Sequence, residues 1–172
     1  MATNTPVYQL RKPADSDNVD QDLDLNDNWD KVEAALIALP QGFLEYAQVT
    51  GNYAPGVAGP SDVPGLSVTV NLDANRRIRI SAHGNLSSGG TGTTVSWSIR
   101  EAATIAGAST TSPGPNPGGT GEGVDCSVIL TPSAGAHTYK VQIAQAWGPG
   151  FPTLIAAGNN PAFILVEDLG AV

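Results

Sequence analysis

The chain has 172 residues, enough for one β-domain of ordinary size and a short appendage. Charged residues make up 14% against a usual value of about 25%, and 33 residues are glycine or proline, so the composition favours strands and turns over helices. A formal charge of −8 argues against nucleic-acid binding, no apolar run approaches the roughly 18–20 residues of a membrane span, and the single cysteine excludes an internal disulfide. The N-terminus lacks the apolar core of a secretory signal, so we expect none.

Residues 1–40 differ in pattern from the rest of the chain. They carry eight carboxylates and three basic side chains, a net charge of −5. Residues 1–20 follow neither a helical nor a strand period and contain two prolines, which predicts an extended arm. The pattern changes near Pro40. We therefore predict an N-terminal arm and helix at 1–40 and a β-domain at 41–172.

A short helix is predicted to follow the arm. Its apolar residues are spaced by four, three, four and three positions, as in a coiled-coil seam two heptads long: Leu25, Trp29, Val32, Leu36 and Leu39. Aspartates before the run favour the helix N-terminus, and Pro40 ends it. Isolated helices shorter than about 12–15 residues rarely persist in water, so this one needs a partner. The narrow seam favours a trimeric bundle of copies over packing on the chain's own β-domain.

From residue 43 onward, apolar residues alternate with polar ones, the two-residue period of half-buried strands. Seven segments show it: 43–50, 66–72, 77–81, 95–100, 124–130, 139–143 and 162–167. An eighth strand is expected at 104–110 or 152–157. The pattern predicts a mainly β protein with an antiparallel β-sandwich or jelly roll. Residues 131–137 are predicted to connect two neighbouring strands tightly, with Gly135 at a positive φ.

Long loops rich in glycine, proline and serine separate the strands, notably at 51–65 and 113–123. Such loops on a rigid sandwich commonly carry binding functions. Tyr53, Trp147 and Phe151 lie in or beside glycine- and proline-rich loops, where exposed rings would stack on sugars. We therefore treat these three residues, with loops 51–65, 113–123 and 147–153, as candidate glycan-binding elements. The alternative is that the rings close the ends of the sandwich.

The sequence contains no recognisable reaction centre. His83 and His137 have no neighbouring catalytic motif, and Cys126 occupies an inward strand position, where cysteine packs as a small hydrophobe. The acidic run from Asp20 lacks the glycine and glutamate of a calcium loop. The basic stretch at 76–79 is predicted to be solvated, unless one arginine pairs with a carboxylate or a neighbouring subunit. Carboxylates of the β-domain leave a glycoside hydrolase open, but nothing singles out a pair. We predict no enzyme, no metal and no cofactor.

Two parts of the sequence resemble virion proteins of tailed bacteriophages. The opening resembles the N-terminal segment of tail and fibre proteins, particularly of phages that infect actinobacteria. It shares a Tyr-x-Leu-x-x-Pro element (Tyr8, Leu10, Pro13), an Asp-rich stretch at 15–30 and an Ala-Leu run at 34–36. The β-domain resembles one from the same group of proteins in five segments: LEYAQVT at 44–50, GLSVTVNLDANRRIRISAHG at 65–84, VSWSIREAATIAGAS at 95–109, LTPSAGAHTYKVQIA at 130–144 and NPAFILVEDLG at 160–170.

This resemblance implies a non-enzymatic virion protein and a homotrimer. The arm, with Tyr8, Leu10 and Pro13, would attach to other virion proteins, and the β-domain would face outward. Members of the family are minor tail or fibre proteins, and similar domains also decorate heads. The chain has no long shaft between arm and β-domain, which favours a short fibre or spike. We expect such a tail protein on the virion surface, made in the host cytoplasm and binding a host-surface glycan. The alternatives are a capsid head decoration or head-fibre protein and, less favoured, a spike-type glycan hydrolase.

Overall fold

A computed structural model describes five parts of the chain: Thr3–Asn4, Arg11–Lys12, 26–39, 42–111 and 121–172. Contacts divide the chain into two compact units. The first is Met1–Pro40 with Ala171, and the second is Gln41–Gly170 with Val172. Each unit is described by itself below.

The N-terminal unit contains a small antiparallel strand pair and one helix. Strand β1 (Thr3–Asn4) pairs with β2 (Arg11–Lys12). Helix α1 (Asn26–Ala38) has 13 residues, with Asp27 in its first turn, where a carboxylate interacts favourably with the positive end of the helix dipole. The predicted short helix is therefore confirmed. In the described parts of the chain, no helix is long and apolar enough to cross a membrane.

The second unit consists of two antiparallel sheets. The five-stranded sheet contains β3 (Gly42–Val49), β5 (Arg76–Ser88), β8 (Glu122–Leu130), β10 (Pro152–Ile155) and β11 (Ala162–Ala171). The four-stranded sheet contains β4 (Ser61–Leu72), β6 (Thr94–Glu101), β7 (Thr104–Thr111) and β9 (Gly135–Trp147), in the order β4-β9-β6-β7. In the five-stranded sheet, β5 is the central strand, with β8 on one side and β10 and β11 on the other, and β3 pairs with β11.

The two sheets share one hydrophobic core. In the regular stretches of the strands, alternate residues point into it, as the two-residue period requires. The largest fully buried side chains come from both sheets: Trp97, Tyr139, Leu66, Ile78, Ile80, Leu86, Ile99, Ile143, Leu154 and Ile164. The predicted β-sandwich or jelly-roll class is confirmed. Both segments proposed for an eighth strand form strands, β7 and β10.

Most sequential strands of the sandwich lie in different sheets. Residues 131–134, predicted to connect neighbouring strands, join β8 of one sheet to β9 of the other, so that part of the prediction is wrong. Gly135 does have a positive φ, 125°, at the start of β9. Of the described strands in the sandwich, only β6 and β7 follow each other as a hydrogen-bonded pair. The alternating pattern defines which residues face inward, but it carries no information about which sheet a strand joins.

The Trp97 indole fills the space between the sheets above Gly84. A Cβ atom at position 84 would lie 2.8 Å from Cη2 of Trp97, closer than packed carbon atoms approach. The indole Nε1 lies 3.4 Å from the Ala82 carbonyl oxygen, to which it donates. Glycine at 84 therefore makes room for the largest side chain of the core.

A buried ion pair joins the start of β5 to the end of β11. The side chains of Arg76 and Asp168 are 5% and 2% exposed and form a salt bridge, with Nε of Arg76 3.2 Å from Oδ1 of Asp168. The Gly170 amide donates to the same oxygen at 3.0 Å. The solvated face predicted for 76–79 is wrong for Arg76, because an inward strand position and a carboxylate partner bury it. Arg79 remains half exposed, 3.8 Å from Glu167.

Removing one partner of the buried pair should be costly, because it leaves an uncompensated charge in the interior. We expect Arg76→Met to lower the free energy of unfolding by about 3–5 kcal/mol. The matched control, Arg79→Met, removes an exposed partner and should cost less than about 1 kcal/mol. Urea denaturation followed by tryptophan fluorescence measures both losses. Equal losses of unfolding free energy in the two variants would contradict the expectation that the buried ion pair matters more than the exposed one.

Candidate functional site

One end of the sandwich carries loops that backbone hydrogen bonds hold in place. In the loop at 51–60, Tyr53 exchanges two backbone hydrogen bonds with Leu154 of β10, with N–O distances of 3.0 and 2.8 Å. The Ala58 carbonyl in the same loop accepts from the Gln145 amide of β9 at 2.9 Å. This loop is therefore fixed to strands of both sheets.

Two further loops, 89–93 and 148–151, pack backbone against backbone at the same end. The Gly150 amide donates to Oγ1 of Thr93 at 2.9 Å, and Thr93 is fully buried. Gly148 has a φ of +99°, and a Cβ atom there would lie 2.6 Å from Cα of Thr93. Only glycine permits both the left-handed backbone and this approach. Local packing therefore fixes the backbone beside Trp147.

The three aromatic rings predicted to bind a glycan differ in exposure. Trp147 is 71% exposed and Phe151 is 49% exposed, at either end of the glycine-containing loop 148–151. Tyr53 is half-buried and packs against the core. Two large rings are thus exposed to solvent beside a fixed backbone. Exposing apolar surface costs free energy, but it leaves the rings free to stack on a ligand. Their role in binding stays a prediction.

Most of the predicted loop at 113–123 lies outside the described residues. Thr111, before the loop, lies opposite Val95 of β6. Glu122, near the end of the predicted loop, already belongs to β8 and lies opposite Leu86 of β5. Thr94, the neighbour of Val95, pairs with Trp147. The chain therefore leaves and re-enters the sandwich at the end that carries the exposed rings.

The predicted association stripe on α1 is exposed. Trp29, Leu36 and Leu39 are 69%, 63% and 56% exposed, and Val32 is half-buried. Leu25 of the stripe and Tyr8, Leu10 and Pro13 of the attachment arm lie outside the described residues. In the described part of the stripe, three large apolar side chains keep more than half of their surface in solvent.

A cleft of about 610 Å³ at the edge of β4, lined by Asp62, Lys140 and the apolar residues Val63, Pro64 and Ala102, was not predicted from the sequence. It forms where β4 and β9 lose register: Asp62 lies opposite Gln142 and Ser67 lies opposite Lys140, so four residues of β4 face Val141 alone. Such a bulge redirects side chains locally. The loop predicted at 51–65 is shorter in the structure, because β4 begins at Ser61. Pro64 and Gly65 are the sequence signal for the interruption of this strand.

Asp62 is the carboxylate of this cleft that accepts hydrogen bonds from two side chains, those of Lys140 and Gln142. Burial opposes its ionisation, but hydrogen bonds from Lys140 and Gln142, with the nearby charge of Arg100, hold the pKa of the carboxyl below its usual value. The cleft thus presents a carboxylate and an ammonium group that neutralise each other.

His137 lies beside the cleft in a hydrogen-bonded network. Its Nδ1 is 2.6 Å from Oε1 of Glu101, its Nε2 is 2.9 Å from the Ser133 carbonyl oxygen, and its ring stacks on Tyr139. The hydrogen bond with Glu101 is the main cause that raises the pKa of His137, against a smaller opposing effect of burial. Burial, reinforced by the Glu101 charge, raises the pKa of Tyr139 to about 12.

The remaining residues considered for chemistry lie apart. His83 is on β5, 2.8 Å from Oδ1 of Asp125. Cys126 is buried, and burial raises the pKa of its thiol, which disfavours the reactive thiolate. In the parts of the chain that the structure describes, no three His, Cys, Asp or Glu side chains are grouped so as to hold a metal ion.

No protein-family model and no curated protein matches the sequence. Solved structures with partial similarity include the infectious bursal disease virus VP2 subviral particle, at 12% identity and a TM-score of 0.38, over 77% of this chain and 38% of the VP2 chain. A carbohydrate-binding module of Cellvibrio mixtus lichenase 5A, in complex with cellotriose, is 16% identical over 73% of this chain and 97% of the module, with a TM-score of 0.34. Eiger TNF from S. frugiperda is 14% identical over 76% of this chain and 95% of that chain, with a TM-score of 0.36. Viral and carbohydrate-binding proteins are thus both among the structures with some similarity. At these identities and scores, the similarities carry no argument about what this chain does.

The His137–Glu101 pair should make stability depend on pH. Because the folded-state pKa of His137 lies above its unfolded value of 6.5, the stabilisation is fully present below that value and is lost as pH rises through the folded-state pKa. We expect His137→Gln to lower the free energy of unfolding more at about pH 5.5 than at about pH 9. Glu101→Gln should reproduce this pattern. Urea denaturation at both pH values measures the free energy of unfolding of each variant. A loss of stability that is the same at both pH values would contradict the prediction.

Proposed function

We propose that this chain is a structural protein of a tailed-bacteriophage virion, which forms a homotrimer through α1 and displays its β-sandwich as a short tail fibre or spike. The exposed apolar stripe of α1 is the observation that carries the proposal. The phage context rests on the resemblance of the arm and of the β-domain segments to tail and fibre proteins. Tyr8, Leu10 and Pro13 of the arm would contact the other virion proteins.

Burial of the stripe supplies the free energy for association. Burying a side chain of this size contributes about 1.5–3 kcal/mol relative to leaving it in water. Trp29, Leu36 and Leu39 are mostly exposed in the single chain, so most of this contribution is still to be gained. Spacings of four and three residues place them on one face of the helix, where copies of α1 would bury them against one another.

The exposed rings of Trp147 and Phe151 are the proposed contact with a host-surface glycan. Sugar rings present flat C–H faces that stack on aromatic side chains, and the packed glycines hold the loop backbone before a ligand arrives. A fixed backbone loses little conformational freedom on binding, which favours affinity.

Location on the particle is the direct test of the virion role. Antibody against the β-sandwich, detected with gold on intact virions, should label the tail. Labelling of the head would instead favour the alternative of a decoration or head-fibre protein. Purified virions that contain no such chain would contradict both.

A charge in the α1 stripe should prevent association. We expect the wild-type chain to sediment as a trimer and Leu36→Asp to sediment as a monomer, because three buried carboxylates would face each other in the bundle. Asp30→Asn, at an exposed helix position outside the stripe, is the control and should leave the mass unchanged. Sedimentation equilibrium measures the masses. A wild-type chain that is monomeric at all concentrations would contradict the proposal.

Loss of the exposed indole should weaken glycan binding. Removing one stacked ring should cost about 1–2 kcal/mol, close to tenfold in affinity, so Trp147→Ala should bind host cell-wall polysaccharide about tenfold more weakly. The control is Ile129→Ala, which removes a side chain that is 55% exposed on β8, outside the loops. Co-sedimentation with purified cell walls measures binding. Equal binding by the wild type and the Trp147 variant would contradict the assignment.

A further inference from the structure

The outer face of the five-stranded sheet carries an apolar patch that the predicted sites do not include. We name it the β3–β11 patch; it consists of Phe43, Tyr46, Phe163 and Leu165. Phe43 is 63% and Tyr46 is 39% exposed, and the two residues of β11 are half-buried. Tyr46 lies directly opposite Leu165 in the ladder, and the Tyr46 and Phe163 ring centroids are 5.9 Å apart. These side chains form one continuous surface.

A bulge in β3 places Phe43 on this outer face. The register of β3 with β11 shifts between Val166 and Glu167: Glu45 lies opposite Val166, and Phe43 lies opposite Glu167. Leu44 is the extra residue, and it packs against the core. Without the bulge, the two-residue period would turn Phe43 to the other face of the sheet. The bulge therefore exposes a large ring that regular pairing would have directed inward.

Polar groups around the patch are paired within the chain. The Tyr46 hydroxyl donates to Oε1 of Gln48 at 2.8 Å. The His83 ring stacks on Phe163 at 5.5 Å and is hydrogen-bonded to Asp125. An apolar centre with a polar rim is the usual composition of a protein interface. A glycan-binding surface would instead use such hydroxyl and amide groups to bind the ligand, so these contacts favour a protein partner.

We infer that the β3–β11 patch is a second interface between copies of this chain, in addition to α1. The inference rests on the proposed trimer and deepens it. Chain continuity identifies the partner: Phe43 follows Leu39, the last residue of the α1 stripe, by four positions. Three peptide links join Leu39 to Gly42 and span at most about 11 Å. Association through α1 would therefore bring the β3 strands of the copies near one another, and a second copy is the partner we infer for Phe43 and Tyr46.

Sedimentation of variants of the full chain tests this interface. Phe43→Asp and Tyr46→Asp should each weaken self-association at least tenfold, because a carboxylate would be buried against apolar surface. The matched control is Ile129→Asp, a large exposed apolar residue of the same sheet, but on β8 at the edge opposite to β3. It should leave association unchanged. Both substituted side chains of the patch are exposed, so the variants should fold, and circular dichroism checks that they do.

The outcomes separate this inference from the proposed function. If Leu36→Asp dissociates the trimer while Phe43→Asp and Tyr46→Asp do not, the patch is no interface and the proposed trimer stands. If Ile129→Asp weakens association as much as the patch variants, the effect is not specific and the inference fails. If the patch variants keep the wild-type mass but lose binding to cell walls, the patch is a glycan site and the inference is overturned. A monomeric wild-type chain would refute both proposals.

Discussion

The central constraint on this protein is the two-residue period of its strands. Where the strands of the sandwich are regular, alternate side chains point into the core between the sheets, and residues such as Trp97 and Tyr139 are fully buried there. The surfaces that remain for the proposed binding and association are the loops at the sandwich ends, the outer faces and edges of the sheets, and the helix. The exposed rings, the β3–β11 patch and the α1 stripe each occupy one of them.

The sequence predicted these features to very different extents. Period and spacing were enough for the class of fold, the inward position of Cys126 and the helix, because these depend on residues near each other in the chain. The Arg76–Asp168 pair and the His137–Glu101 contact join residues far apart in sequence, so no local pattern contains them. The bulge at Leu44 could not be predicted either. One extra residue in a strand reverses which sheet face the neighbouring side chains point to, but it leaves the composition of the strand unchanged. The prediction that residues 131–137 connect two neighbouring strands failed because the alternating pattern does not specify which sheet a strand joins.

The two exposed apolar surfaces of the second unit differ in how their positions are fixed. At the loop end, glycines let backbone pack on backbone, so Trp147 is held beside a rigid loop even though its ring contacts little protein. In the β3–β11 patch, ladder hydrogen bonds and one bulge fix the rings of Phe43 and Tyr46. At the loop end, the glycines determine the backbone conformation, so the exposed side chain at position 147 can vary without changing it. The second arrangement ties the exposed residues to strand register.

The pairing of β3 with β11 also has a consequence for synthesis. Ala47 of β3 lies opposite Ile164 of β11, so the first strand of the sandwich finds its partner only after more than a hundred further residues have left the ribosome. Contacts this distant in sequence form slowly. During that interval α1 has already emerged with its apolar stripe, and neighbouring nascent chains on one messenger RNA present the same helix. The association proposed through α1 can therefore begin before the sheets close, which would make assembly of this protein sensitive to the rate of translation.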